Sequence, residues 1–223
     1  MHKTMLLAAA LATTAFSTPA LAGNPDGKVQ VKLLATSVDV SGKLEDVKTD
    51  LIGLPAGTST KANTNVVPTA AIEYFFNKNF SVETICCFTQ HHINGTGPLE
   101  GARIINHVLV LPATVTAKLH LDAGPIKPYV GAGPALFLIF GEKPGPDAKA
   151  LGATSLKLRN ELGVAVQAGV DVPLGDQGFG LSLDAKKYWI DSQLRVKAGD
   201  TTVLDSKHKL DPWVLSAGVS YRF

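Results

Sequence analysis

Residues 156–172 read LKLRNELGVAVQAGVDV. Taken two at a time they separate into two populations. The even positions are Leu156, Leu158, Asn160, Leu162, Val164, Val166, Ala168, Val170 and Val172. The odd positions are Lys157, Arg159, Glu161, Gly163, Ala165, Gln167, Gly169 and Asp171. A helix turns 100° per residue and would mix these sets, whereas a strand sends successive side chains to opposite faces and keeps them apart. The end of the chain behaves alike. In WVLSAGVSYRF (213–223), Trp213, Leu215, Ala217, Val219, Tyr221 and Phe223 alternate with Ser216, Gly218, Ser220 and Arg222.

Six more segments have the same period, 28–38, 65–76, 79–90, 105–121, 126–140 and 179–191. The connections between the eight segments alternate in length. Asn77-Lys78, Asp122 to Pro125 and Pro173 to Gly178 are short and carry turn residues. Stretches 39–64, 91–104, 141–155 and 192–209 are long and rich in Gly, Thr, Asp and Lys. All long connections therefore lie at one end of the sheet. This asymmetry is that of an eight-stranded antiparallel transmembrane β-barrel, with short periplasmic turns and long extracellular loops.

The 223 residues are 45% hydrophobic and 18% charged, with a mean hydropathy of +0.16. No run past the N-terminus is long and apolar enough for a spanning helix. Lys+Arg 21 against Asp+Glu 19 is too balanced for an electrostatic nucleic-acid binder. Residues 1–22, with basic Lys3, an apolar stretch from Met5 to Phe16 and Ala20-Leu21-Ala22, read as a secretory signal peptide cleaved after Ala22. Residues 23–223 then form the barrel. Cys86 and Cys87 are adjacent; they read as two small apolar residues on opposite faces of a strand, and neither a metal nor a cofactor is implied.

A soluble barrel would turn its apolar faces inward. Here the apolar faces are long and nearly free of charge. The polar faces carry Lys28, Lys32, Glu73, Glu83, Lys118, Lys157, Arg159, Glu161, Asp184, Lys186 and Arg222. Segments of about 11–17 residues exceed the ~9–11 that cross a bilayer obliquely. The apolar faces are accordingly assigned to lipid and the polar set to the lumen. The chain stops at an aromatic strand end, Tyr221-Arg222-Phe223, of the kind that the barrel assembly machinery recognises. Trp213 and Tyr221 suit the two interfacial girdles.

At this point the chain resembles the OmpW outer-membrane proteins, a family that includes the alkane-uptake AlkL group. The matching stretches are Lys127-Pro128-Tyr129-Val130-Gly131-Ala132-Gly133, Gly169-Val170-Asp171, Leu210-Asp211-Pro212-Trp213-Val214 and the terminal Tyr221-Arg222-Phe223. Val82-Glu83 and His107 with Leu111-Pro112-Ala113-Thr114 add to it, although Ala113 stands where the family usually has a second proline. The resemblance implies a barrel in the outer membrane of a Gram-negative bacterium. It also implies a narrow hydrophobic channel carrying small apolar solutes past the lipopolysaccharide layer, with lateral exit through the wall.

The residues add detail. Inward charges of both signs (Glu73, Glu83, Lys118, Arg159, Glu161, Asp184, Lys186, Arg222) are expected to pair across the lower lumen, because unpaired buried charge is costly. Val67, Ala71, Ile85, Val108, Val110, Phe137 and Ile139 make the outer half of the lumen apolar. Pro68, Pro112 and Pro134 interrupt strands in their outer halves, where a missing ladder donor weakens pairing; they are the expected lateral gate, with a bulge of no transport role as the plain alternative. His91 and His92 fall in or beside a long loop, expected in solvent, and His107 falls on the apolar face with no serine clearly joining it, against a lipid A-modifying esterase. The remaining alternative is a plugged barrel whose loops bind lipopolysaccharide or a partner.

Overall fold

The computed structural model describes residues 23–223; the expected signal peptide lies outside them. The strands are β1 (Val29–Asp39), β2 (Lys43–Asp50), β3 (Ser59–Ala62), β4 (Asn65–Phe75), β5 (Phe80–Cys86), β6 (Thr89–Thr96), β7 (Arg103–His120), β8 (Lys127–Pro144), β9 (Ser155–Leu158), β10 (Glu161–Pro173), β11 (Phe179–Trp189), β12 (Asp191–Ala198), β13 (Thr201–Lys209) and β14 (Trp213–Arg222). One short helix, α1 (Pro146–Ala150), precedes β9. Antiparallel pairing runs β1-β4-β5-β7-β8-β10-β11-β14 and returns to β1. This closes an eight-stranded barrel, in which every strand has a neighbour on both sides over most of its length.

The alternation places the faces as the sequence predicts. In β4, Val66, Ile72 and Tyr74 are exposed on the outside while Ala71, Glu73 and Phe75 are buried within. Two aromatic girdles bound the apolar outer surface. Tyr74, Phe76, Phe80, Phe179, Tyr221 and Phe223 cluster beside the short turns. Phe88, Phe140, Trp189 and Trp213 lie at the other end. Lys187, the charge on an apolar face, reaches past the Trp213 ring to donate to the Asp211 carbonyl at 2.5 Å, a snorkelling geometry.

The long connections are not loops. β2, β13, β12 and β9 form a separate four-stranded sheet, in that order, beyond the outer girdle. Residues 156–172 are accordingly two strands rather than one. The ladder breaks at Arg159-Asn160, where the Asn160 Oδ1 accepts the Ile139 N–H at 2.8 Å. Across the break the parity inverts: Leu156 and Leu158 are buried, Lys157 is exposed, and β9 pairs with β12. Leu156 and Leu158 therefore face the interior, contrary to their assignment to lipid. Ile105 is also fully buried, because irregular pairing at His107 shifts the end of β7.

His208 ties this sheet to the β1–β2 turn. Its Nδ1 faces the Gly42 carbonyl at 3.3 Å and its Nε2 lies 3.0 Å from the Ser206 hydroxyl. Burial pushes its pKa below the ordinary 6.5, against the Gly42 contact, which raises it. The neutral ring is thus favoured in the fold, so the unfolded sheet binds more protons just below pH 6.5. Its contribution to stability is complete above 6.5 and lost as pH falls through the folded value. Protection factors of β13 amides, taken against the intrinsic exchange rate at each pH, are expected to fall from pH 7.5 to 5, and His208→Gln to abolish that fall; an equal fall in both proteins refutes it.

Candidate functional site

The lower lumen is closed by side chains from seven of the eight barrel strands. Lys32 of β1 lies 3.0 Å from Glu73, 3.3 Å from Glu83 and 3.1 Å from Asp171. Lys118 of β7 meets Glu73 at 2.8 Å and Glu83 at 2.9 Å. Lys186 of β11 meets Asp184 at 2.6 Å and Glu83 at 3.1 Å. Tyr129 of β8 donates to Asp184 at 2.8 Å, and its ring lies 3.7 Å from the Lys118 Nζ. Gln167 of β10, Ser81, Thr116, His120 and Ser182 fill the remaining hydrogen bonds. Three ammonium groups thus face four carboxylates, all nearly excluded from solvent except Asp171, which borders the lower cavity. Every partner is needed, because a lone charge there carries its full desolvation cost.

Six of the eight predicted lumen charges are inside: Glu73, Glu83, Lys118, Asp184, Lys186 and Arg222. Arg222 lies below the network, stacked 3.6 Å from the Phe75 ring and donating to the Gly27 carbonyl at 2.6 Å. Arg159 and Glu161 are not in the lower lumen. They sit at the parity break, with the Arg159 side chain 63% exposed, 3.4 Å from Glu161. Lys28 and Lys157 are also exposed. Asp171 and Tyr129 belong to the network and were not singled out. Asp171 sits in the odd set of 156–172, and the parity alone points it inward.

Above this floor the lumen turns apolar. A cavity of ≈50 Å³ is lined by Ile85, Val108, Val110, Phe137 and Ile139, five of the seven predicted apolar residues, together with Val38, Leu158, Leu210 and Val214. Ala71 is buried lower on β4, and Val67 is half-buried outside this lining. A second, more polar cavity of ≈30 Å³ opens below the floor, among Gln30, Phe75, His120, Asp171 and Arg222. The two share no lining residue, so the ion-paired layer separates them.

Beside the upper cavity the wall is incomplete. The β4–β5 ladder ends at Ala70↔Cys86. Above it, Val66, Val67, Pro68 and Thr69 pair with β1 alone. On the far side β5 pairs with β7 up to Ile85↔Thr114, and β6 resumes at Thr89↔Val110. Cys87 and Phe88 thus interrupt one strand, between β5 and β6, beside Pro68 of β4 and Pro112 of β7. Cys86 is exposed and Cys87 buried. The Thr69 Oγ1 is buried with no hydrogen-bond partner, and Cys87 in the break is buried as well. Pro134 lies elsewhere, paired with Val164 in β8–β10. Two of the three prolines therefore flank the break.

His91 is not in solvent: it is 3% exposed and lines the upper cavity, because β6 extends the barrel strand into what reads as a loop. His91, His92 and His107 each bond a backbone carbonyl, of Asn63, Asn106 and Gly141.

Comparison with known proteins agrees with this geometry. The OmpW family profile matches residues 25–223. The uncharacterized outer-membrane protein y4mB of Sinorhizobium fredii is 29% identical over 203 residues, 91% of this chain and 82% of that protein. Outer membrane protein W of Escherichia coli is 29% identical over 174 residues, 77% of this chain and 79% of that protein. The crystal structure of OprG from Pseudomonas aeruginosa superposes with a TM-score of 0.77 at 22% identity, covering 90% of this chain and 98% of that one. The solid-state NMR structure of AlkL in lipid bilayers gives 0.70 at 23% identity, covering 92% and 94%. The lipid-facing barrel, its two girdles and its match over the whole described length place the chain in the outer membrane, and it belongs to the OmpW family.

Proposed function

We propose that this barrel passes small hydrophobic molecules from the cell exterior into the outer membrane, by way of the apolar upper lumen and a lateral exit between β4 and the β5–β6 break. The supporting observation is the juxtaposition of an apolar cavity, an ion-paired floor beneath it and an interrupted wall beside it. A hydrophobic solute gains nothing by crossing the floor, where it would displace paired charges. Sideways it meets lipid, which solvates it as well as the cavity does. Pro68 has no N–H to extend the β4 ladder toward Cys87 and Phe88, which keeps the wall open there. Tyr221 and Phe223 serve as the signal to the barrel assembly machinery, and the capping sheet faces the lipopolysaccharide layer.

Uptake of a labelled alkane by cells with and without the protein tests the reading: faster uptake with it is expected, and equal rates reject transport. The sealed floor also suits a barrel that only binds lipopolysaccharide or a partner, and equal rates would favour that role. Release of acyl chains from lipopolysaccharide by the purified protein would overturn both. Pro68→Val is expected to lower uptake several-fold, measured at matched amounts of folded barrel; unchanged uptake removes the proline from the gate.

A further inference from the structure

The upper cavity is apolar except for one feature. His91 is 3% exposed and lines it, and its Nε2 has no hydrogen-bond partner. Its Nδ1 lies 2.9 Å from the Asn63 carbonyl, which only accepts, so the proton is on Nδ1. The ring stays neutral, because an imidazolium among Ile93, Val108 and Val110 would be charged and unpaired. Nε2 is therefore an acceptor lone pair, and with Nδ1 tethered to the wall it is the edge left for the cavity. The other polar groups there are engaged: Thr89 donates to the Val110 carbonyl at 3.3 Å, and the Tyr188 hydroxyl meets Thr114 at 3.3 Å.

An orphaned acceptor in an apolar site is costly until a ligand satisfies it. We propose that the cavity is built for a slender apolar molecule carrying one hydrogen-bond donor, an aliphatic alcohol, whose hydroxyl donates to His91 Nε2 while its chain lies along Val108, Phe137 and Ile139. The volume of ≈50 Å³ holds about four water-sized groups, at ~10–15 Å³ each, which suits an unbranched chain and not a fused ring. The outer cavity beneath the capping sheet repeats the arrangement. Its walls include Leu44, Leu54, Ile104 and Val196, and Thr58 Oγ1 is buried there without a partner. A hydroxyl-bearing chain thus finds a polar contact at two successive stations. The assignment deepens the proposed channel and rests on it.

The test compares 1-butanol, its ether isomer 1-methoxypropane and n-pentane, all short enough for the cavity, on the full chain in lipid nanodiscs, against empty nanodiscs. Binding and the ¹⁵N signal of His91 Nε2 are followed by NMR. The alcohol is expected to bind about tenfold more tightly than the ether and to shift the Nε2 signal, which ether and alkane leave in place. His91→Phe is expected to equalise alcohol and ether, with gel migration reporting that the barrel is folded. Equal binding of all three by the native chain overturns the alcohol assignment and leaves the hydrophobic channel standing. Binding of none overturns both. Because the native chain alone separates these outcomes, a variant that fails to fold costs nothing.

Discussion

Lys118→Met is expected to destabilise the barrel by about 3–5 kcal/mol, the usual consequence of removing one partner from a buried ion pair. Lys118 is fully buried, at 2.8 and 2.9 Å from two carboxylates. Without it, Glu73 leans on Lys32 and His120, and Glu83 on Lys32 and Lys186, while Asp171 and Asp184 compete for the same lysines. Methionine supplies the volume of the lost chain but no charge. A loss of this size is a large part of the ~5–15 kcal/mol that holds a domain folded. Urea titration in lipid, read by the fraction migrating as compact barrel, measures it. Lys118→Met with Glu83→Gln should recover a good part of the loss, since the two residues touch and their effects do not add. If the single variant unfolds at the native urea concentration, the floor does not hold the barrel together.

Joining Thr69→Cys to the native Cys87, in a Cys86→Ala background, is expected to reduce uptake of a hydrophobic solute to that of cells without the protein. The register Ala71↔Ile85, Ala70↔Cys86 puts Thr69 and Cys87 next in line, and both side chains are buried on the lumen side. Directly opposed antiparallel residues have Cα atoms about 4.5–5.5 Å apart, within the ~4.4–6.8 Å that a disulfide bridges. The bond would close the ladder one step further and span the break. A reductant should restore uptake in the same cells, so expression and folding are controlled internally. Full uptake with the disulfide present means that the solute leaves by another route.

Much of this site was legible from a period of two. Glu73, Glu83, Lys118, Asp184 and Lys186 lie on stretches of strand whose pairing is regular around them, so parity alone aims them inward. Parity failed where a strand changes partners. Arg159 and Glu161 flank a break made by one side chain, Asn160 capping the Ile139 N–H, and nothing in the alternation reports that bond. The capping sheet stayed hidden for a different reason. In β13 the buried side is Leu204, Ser206 and His208, and the two polar residues reach the interior because Ser206 meets His208 at 3.0 Å and the other ring nitrogen meets Thr60 and Gly42. A polar stripe of this kind reads as loop. His91 was misplaced by the same assumption, since Gly95, Gly97 and Gly101 nearby signal a turn, yet β6 carries His91 into the lumen before that turn begins.

The capping sheet takes β2 from the first long connection, β9 from the third and β12–β13 from the fourth. Residues 166 positions apart, Gly42 and His208, meet there. The surface that a bacterium shows its surroundings is therefore a discontinuous epitope, absent from any single peptide of the chain. Antibodies raised on linear fragments should miss intact cells, whereas those raised on folded barrel should bind them. Peptide tags belong in the turns beside Gly53, Gly57, Gly152 or Gly199, which face open space, with those glycines kept because their positive φ strains any side chain, and not within the strands that knit the outer face together.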